Sequence, residues 1–203
     1  MTKIKLCGLT RLCDIEVANE LKPEYIGFVF APKSRRYVTC EKATELKNQL
    51  HSDIKAVGVF VNENVKTVAK FLNNDIIDIA QLHGNEDESY IARLRKLSDK
   101  PIIKAFRIDS EQDIAKAENS SADFVLLDSG NGGTGTVFDW KLLQNISRPY
   151  FLAGGLDNSN IRTAIKTVTP YAVDVSSGLE TDGFKDRNKM TEFVDIVRKE
   201  DSE

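Results

Sequence analysis

Eight short apolar segments recur along this chain, separated by stretches with helical spacing. They are Lys3–Cys7, Tyr25–Phe30, Lys55–Val61, Ile76–His83, Pro101–Ile108, Phe124–Asp128, Tyr150–Ala153 and Tyr171–Ser176. Most are near-continuous runs of Val, Ile, Leu and Phe, the pattern of parallel strands covered on both faces. Their starts recur about every 20 to 30 residues, the length of one βα unit. Between them, Asn64–Leu72 repeats Val65, Val68, Ala69 and Leu72, and Asp186–Val197 repeats Met190, Phe193, Val194 and Val197. Both spacings predict helices. Asp157-Asn158-Ser159 stands where capping residues precede a helix over Ile161–Val168, and Pro23 and Pro170 stop helices just before strands. Only the stretch after Asp128 is indistinct, since Asp139–Asn145 permits no more than a short helix.

Eight such units in 203 residues, with no linker or change of composition, predict an α/β protein: one (β/α)8 TIM barrel, a single domain over residues 1–203. A doubly wound open sheet is the alternative. It calls for a glycine fingerprint after the first strand, and Cys7-Gly8-Leu9-Thr10 is not one.

Composition then excludes several classes of function. A net charge of -3 with both signs scattered offers no basic stripe, so nucleic acid is not an expected partner. No apolar run approaches the roughly 20 residues of a membrane span, and no signal peptide opens the chain, so no membrane partner is expected. Three cysteines without ligand spacing and two histidines make a disulfide framework or a metal site improbable. A reducing, cytoplasmic location fits them best. A monomer is expected before a dimer.

In a barrel the C-terminal ends of all strands share one face, and that face carries the active site. By position alone the rule collects Cys7, Phe30 with the loop to Arg35-Arg36, His83, Arg107, Asp128, Gly154-Gly155 and Ser176-Ser177-Gly178. The loops after strands 7 and 8 are the usual phosphate site of such barrels. Here they read Ala153-Gly154-Gly155-Leu156 and Val175-Ser176-Ser177-Gly178-Leu179. Glycine lets backbone N–H groups approach phosphate oxygens, although either turn alone would be read simply as a turn.

Phe124-Val125-Leu126-Leu127-Asp128 ends an apolar run in a carboxylate, and Ile4-Lys5-Leu6-Cys7-Gly8 ends one in a thiol. A free cysteine is usually a buried small hydrophobe, and an aspartate at a strand end often caps a turn. Facing each other across one pocket, they would serve as base and acid, the thiol favoured as thiolate by nearby positive charge. Cys13 and Cys40, in helix-like sequence, are read as packing residues. An arginine of the Lys33-Ser34-Arg35-Arg36 loop held over the pocket would clamp a carboxylate. His83 is read as a packed positioning residue. Lys5 and Asp174 are expected to form a buried pair inside the barrel.

The motifs carrying these residues are Lys5-Leu-Cys-Gly-Leu-Thr10, Gly27-Phe-Val-Phe-Ala-Pro-Lys-Ser-Arg-Arg-Tyr37, Val57-Gly-Val-Phe-Val-Asn62 and Gln81-Leu-His-Gly84. They continue with Leu127-Asp128, Gly132-Gly-Thr-Gly135, Phe138-Asp-Trp140, Ala153-Gly-Gly-Leu156 and Val173-Asp-Val-Ser-Ser-Gly178. In this order, end to end, they resemble the phosphoribosylanthranilate isomerase family of tryptophan biosynthesis. The resemblance implies an Amadori rearrangement of a small phosphoribosyl substrate without cofactor or metal. It makes Asp128 the general acid, Cys7 the general base and Arg36 the contact for the anthranilate carboxylate. Gly154, Gly155, Ser176, Ser177 and Gly178 match its phosphate loops, and His83, Asp174 and Gly133 are further candidates. Where the family often carries Gly-Lys-Thr-Phe-Asp-Trp, this chain has Gly135-Thr136-Val137-Phe138-Asp139-Trp140, so no basic group is assigned to that loop. Two other readings remain: the sister Amadori isomerase of histidine biosynthesis, and a phosphosugar-binding barrel without catalysis. The first would call for an aspartate where Cys7 stands.

Overall fold

A computed structural model describes residues 1–128, 143 and 146–200 of the chain. Eight parallel strands close into one barrel in sequence order, and β1 pairs with both β2 and β8. The strands are β1 (Lys3–Cys7), β2 (Tyr25–Val29), β3 (Lys55–Phe60), β4 (Ile79–Leu82), β5 (Ile102–Arg107), β6 (Phe124–Asp128), β7 (Tyr150–Ala153) and β8 (Ala172–Val175). Around them lie α1 (Leu12–Leu21), α2 (Cys40–Lys47), α3 (Val65–Asn73), α4 (Glu88–Arg95), α5 (Glu111–Glu118), α6 (Ile161–Val168) and α7 (Arg187–Glu200). This is the (β/α)8 TIM barrel that the recurrence of apolar segments predicts. The expected short helix at Asp139–Asn145 lies almost wholly outside the described residues, as do Gly133 and Thr136.

The fourth predicted segment begins too early. Ile76 and Ile77 are buried yet lie in the turn that closes α3, where the Ile76 and Ile77 amides donate to the Phe71 carbonyl. Asp75 just before them takes a positive φ of 56°, the left-handed turn that stops a helix. Apolar character alone does not separate a helix stop from a strand start. The cap expected at Asp157-Asn158-Ser159 is also redistributed. Asn160 is the N-cap, and Asp157 Oδ1 accepts from the Ser159 amide at 2.8 Å and the Asn160 amide at 3.2 Å.

Two cores result. Between barrel and helices pack Leu6, Phe28, Phe60, Leu82, Leu127, Leu152, Phe193 and their neighbours. Inside the barrel a separate apolar plug holds Tyr25, Val57, Ile79, Ile103, Leu126, Phe151 and Ala172. Side chains alternate along a strand, so two residues beyond the plug the same inward rows turn polar. Leu126 is followed by Asp128, and Lys5 by Cys7. The barrel is a sealed floor with a chemical mouth.

Candidate active site

The mouth opens as a cavity of about 630 Å³. Cys7, Arg36, His83, Asp128, Gly154, Gly155, Asp174, Ser176 and Ser177, all singled out from sequence, line it together with Arg35 and Gln81. The thiol of the first strand and the carboxylate of the sixth thus share one compartment. Three other positions stand apart. Arg107 is largely exposed and its Nε pairs with Asp109 at 2.8 Å. Phe30 stacks on Phe60, with ring centroids 5.1 Å apart, outside the cavity. A strand-end position therefore also selects a residue of the outer face, Phe30, and one whose side chain runs out to solvent beyond the cavity, Arg107. Cys13, expected to pack, is exposed on α1, whereas Cys40 is half-buried.

Gly178 is not in the wall. A Cβ there would lie 2.1 Å from the Leu156 carbonyl oxygen, so only glycine lets the β7 and β8 loops meet. Gly154 and Gly155 both hold positive φ, 91° and 65°, and make the β7 turn itself. At the other wall Gly8, with φ of 78°, leaves room for the Arg36 side chain, which a Cβ would strike at 2.4 Å.

Lys5 is wholly buried and donates to Asp174 Oδ2 and to Gln81 Oε1, each at 2.8 Å. This is the pair expected from sequence. Burial alone would push the ammonium down, but Asp174 and the adjoining Cys7 outweigh it and hold the group above its ordinary value. The Cys7 thiol is also pushed up, because burial outweighs the opposing pull of Lys5 and Lys185. The pull of Lys5 and Lys185 is the nearby positive charge that the sequence reading invokes for this thiol. Gln81 Nε2 lies 2.8 Å from His83 Nδ1, and His83 Nε2 lies 3.4 Å from Asp128 Oδ2. Glu86 fixes the backbone beside them, with Oε1 accepting from the Asn62 amide at 2.6 Å and Oε2 from the Gly84 amide at 2.8 Å.

Sequence reasoning missed a second cluster. After a 3-10 turn at Ser177–Leu179, β9 (Glu180–Thr181) and β10 (Phe184–Lys185) form a small hairpin. Its turn residues Asp182 and Gly183 have φ of 52° and 83°, and Asp-Gly is the signal that could have revealed it. The nearly buried Glu180 carboxylate accepts from Arg36 Nε and, at 2.9 Å, from Arg36 NH2, and from Arg35 NH2 at 2.8 Å and Lys185 Nζ at 2.7 Å. Burial would raise Glu180, but hydrogen bonds from Arg36 and Lys185 win and hold it below the usual carboxylate range. Lys185 also donates to the Ser176 carbonyl at 3.0 Å, and Ser176 Oγ donates to the Cys7 carbonyl at 3.1 Å.

Fold and cavity together define a TIM barrel with one mixed-charge pocket at the C-terminal ends of its strands. The chain belongs to the N-(5'-phosphoribosyl)anthranilate isomerase family, whose pattern matches residues 4–196. The curated isomerase of Endomicrobium trichonymphae is 45% identical over 202 residues, covering 98% of this chain and 99% of that protein. A phosphoribosyl anthranilate isomerase solved with reduced 1-(o-carboxyphenylamino)-1-deoxyribulose 5-phosphate superimposes with a TM-score of 0.87. It is 34% identical and covers 98% of this chain and 100% of its own. The Thermotoga maritima enzyme, described as dimeric and solved as mutually generated monomers, matches with the same TM-score, identity and coverage. Among the described residues no helix is long and apolar enough to cross a membrane.

Proposed function

We propose that this chain is a phosphoribosylanthranilate isomerase of tryptophan biosynthesis, acting as one domain over residues 1–203, with Asp128 as general acid and Cys7 as general base. Asp128 gives a proton to the furanose ring oxygen as its bond to C1 breaks, and the anthranilate nitrogen supplies the electron pair that forms the C1 iminium. Cys7 then takes the proton from C2, and the electrons released neutralise the iminium to an enolamine. Its tautomerisation gives 1-(2-carboxyphenylamino)-1-deoxyribulose 5-phosphate. The cationic iminium acidifies C2, so a single base is enough. Burial raises the thiol, and a thiolate of higher pKa is the stronger base once formed.

The observation that carries this reading is the common cavity of Cys7 and Asp128, walled by arginines on one side and glycine-serine turns on the other. Arg36 clamps the anthranilate carboxylate. The backbone of Gly154, Gly155, Ser176 and Ser177 receives the phosphate, and Gly178 holds the two turns together. Asp174 acts at one remove, by holding Lys5. Free thiols at Cys7, Cys13 and Cys40 suit the cytoplasm. We propose a monomer, because the large apolar side chains exposed among the described residues, such as Leu12, Tyr37, Val61, Leu97 and Phe184, fall on separate elements. Light scattering that returned twice the chain mass would replace it with a dimer like the Thermotoga relative.

Loss of anthranilate fluorescence on adding the purified protein to freshly made N-(5-phosphoribosyl)anthranilate tests substrate and reaction together. Unchanged fluorescence would leave a binding barrel without catalysis.

A further inference from the structure

Lys5 stands two residues before Cys7 on the same inward row of β1. Its ammonium, wholly buried, is held by Asp174 Oδ2 and Gln81 Oε1. An ammonium only donates. The Gln81 atom facing Lys5 at 2.8 Å is therefore the carbonyl oxygen, since an amide NH2 there would set donor against donor. That leaves the Gln81 NH2 facing His83 Nδ1 at 2.8 Å, so Nδ1 must accept and carries no proton. The ring's one proton is then on Nε2, the atom turned towards Asp128 Oδ2 at 3.4 Å. That contact is loose, as catalytic hydrogen bonds often are before substrate closes the site. The other oxygen, Asp128 Oδ1, is buried and without a hydrogen-bond partner among the described residues.

We infer that the Lys5–Gln81 pair fixes His83 as the neutral Nε2–H tautomer, and that His83 acts as a positioning residue, holding the Asp128 carboxyl by Oδ2. A donor fixed on Oδ2 sets the rotation of that carboxyl in the cavity, whether the group is protonated or not. A histidine that shared Nδ1–H and Nε2–H forms would present a lone pair to Oδ2 part of the time and lose that hold. Lys5, Gln81 and His83 come from β1 and from the end of β4, so the device joins opposite parts of the barrel through its interior. It rests on the reading of Asp128 as general acid.

The chain has only two histidines, His51 and His83, which makes the tautomer directly readable. In the full-length protein labelled with ¹⁵N-histidine, long-range ¹H–¹⁵N correlation at neutral pH should show His83 with a pyridine-type Nδ1 and a protonated Nε2. The His51→Gln variant removes the exposed second ring and assigns the signals. An Nδ1–H tautomer, an imidazolium or an averaged ring overturns the inference. Turnover gives a second readout. The glutamine amide reaches where Nε2 lies and the asparagine amide where Nδ1 lies, so His83→Gln should retain about tenfold more activity than His83→Asn or His83→Ala, the worth of one hydrogen bond. Equal activity in all three variants rejects the positioning role. Because the tautomer is read without substrate, the two claims fail separately. An Nε2–H signal beside near-normal turnover in Asp128→Asn removes the acid and leaves the relay. An Nδ1–H signal removes the relay and leaves the acid.

Discussion

The floor and the mouth of the barrel are made from the same strands, yet they answer to different physics. On the floor Tyr25, Phe124, Phe151 and Tyr171 meet ring to ring at 5.3 to 5.8 Å, and the plug needs no polar partner except at its edge. Two residues further along the same inward rows stand Lys5, Gln81 and Asp174, and beyond them Cys7, His83 and Asp128. Each buried polar group there needs a partner, because a group left unpaired costs about 1–3 kcal/mol. Asp174 Oδ1 and Asp128 Oδ1 have no partner among the described residues. The floor is stabilised by area removed from water, whereas the mouth is held by directed contacts that leave chosen atoms unsatisfied.

That division can be broken most sharply at the proposed acid and base. Cys7→Ala and Asp128→Asn should each lose about two to four orders of magnitude in turnover while keeping the fold, the usual size of an acid–base contribution. Steady-state rates with circular dichroism measure both, and near-normal rates in either variant remove that residue from the mechanism. Phe151→Ala should do the reverse. Emptying the plug costs about 3–5 kcal/mol in denaturant midpoint and leaves KM unchanged in the molecules still folded. A floor mutation that altered KM would show that the two layers are coupled.

Glu180→Gln lies between these cases. Removing the charge that holds Arg36, Arg35 and Lys185 should raise KM about tenfold with kcat nearly unchanged, as expected for lost ground-state clamping. A fall in kcat alone would place Glu180 in the chemistry instead. The smallest effect is in the pH dependence of Cys7. Burial raises its pKa, so iodoacetamide should modify it slowly at neutral pH and faster as the pH rises. Lys5 pulls that pKa down, so Lys5→Met should move the onset to still higher pH. Peptide mass spectrometry reads it, and an onset unchanged or moved to lower pH in Lys5→Met would remove the assigned pull of Lys5.

Most of the barrel was legible because covered parallel strands must be apolar on both faces, and Lys3–Cys7, Phe124–Asp128 and Tyr150–Ala153 were placed to the residue. Ile76 and Ile77 were misplaced because a helix stop can bury the same side chains as a strand. The strand-end rule gathered Cys7, His83 and Asp128 into one cavity, since period-two alternation keeps a row facing inward. It could not say that Arg107, on such a row, reaches past the cavity to Asp109. Glu180 and Lys185 were missed for another reason. Their meaning depends on a hairpin that folds them back onto Arg36 and Ser176, and no local pattern reports that contact.

The Glu180 hairpin also works as a caliper. One carboxylate grips the arginine proposed for the aromatic acid and, through Lys185, the serine turn proposed for the phosphate. The span between those two grips is thereby set by a single strut. Ligands whose two anions lie nearer or farther apart cannot be admitted by adjusting one jaw, and any retuning of this pocket for a different length of substrate has to begin with the hairpin.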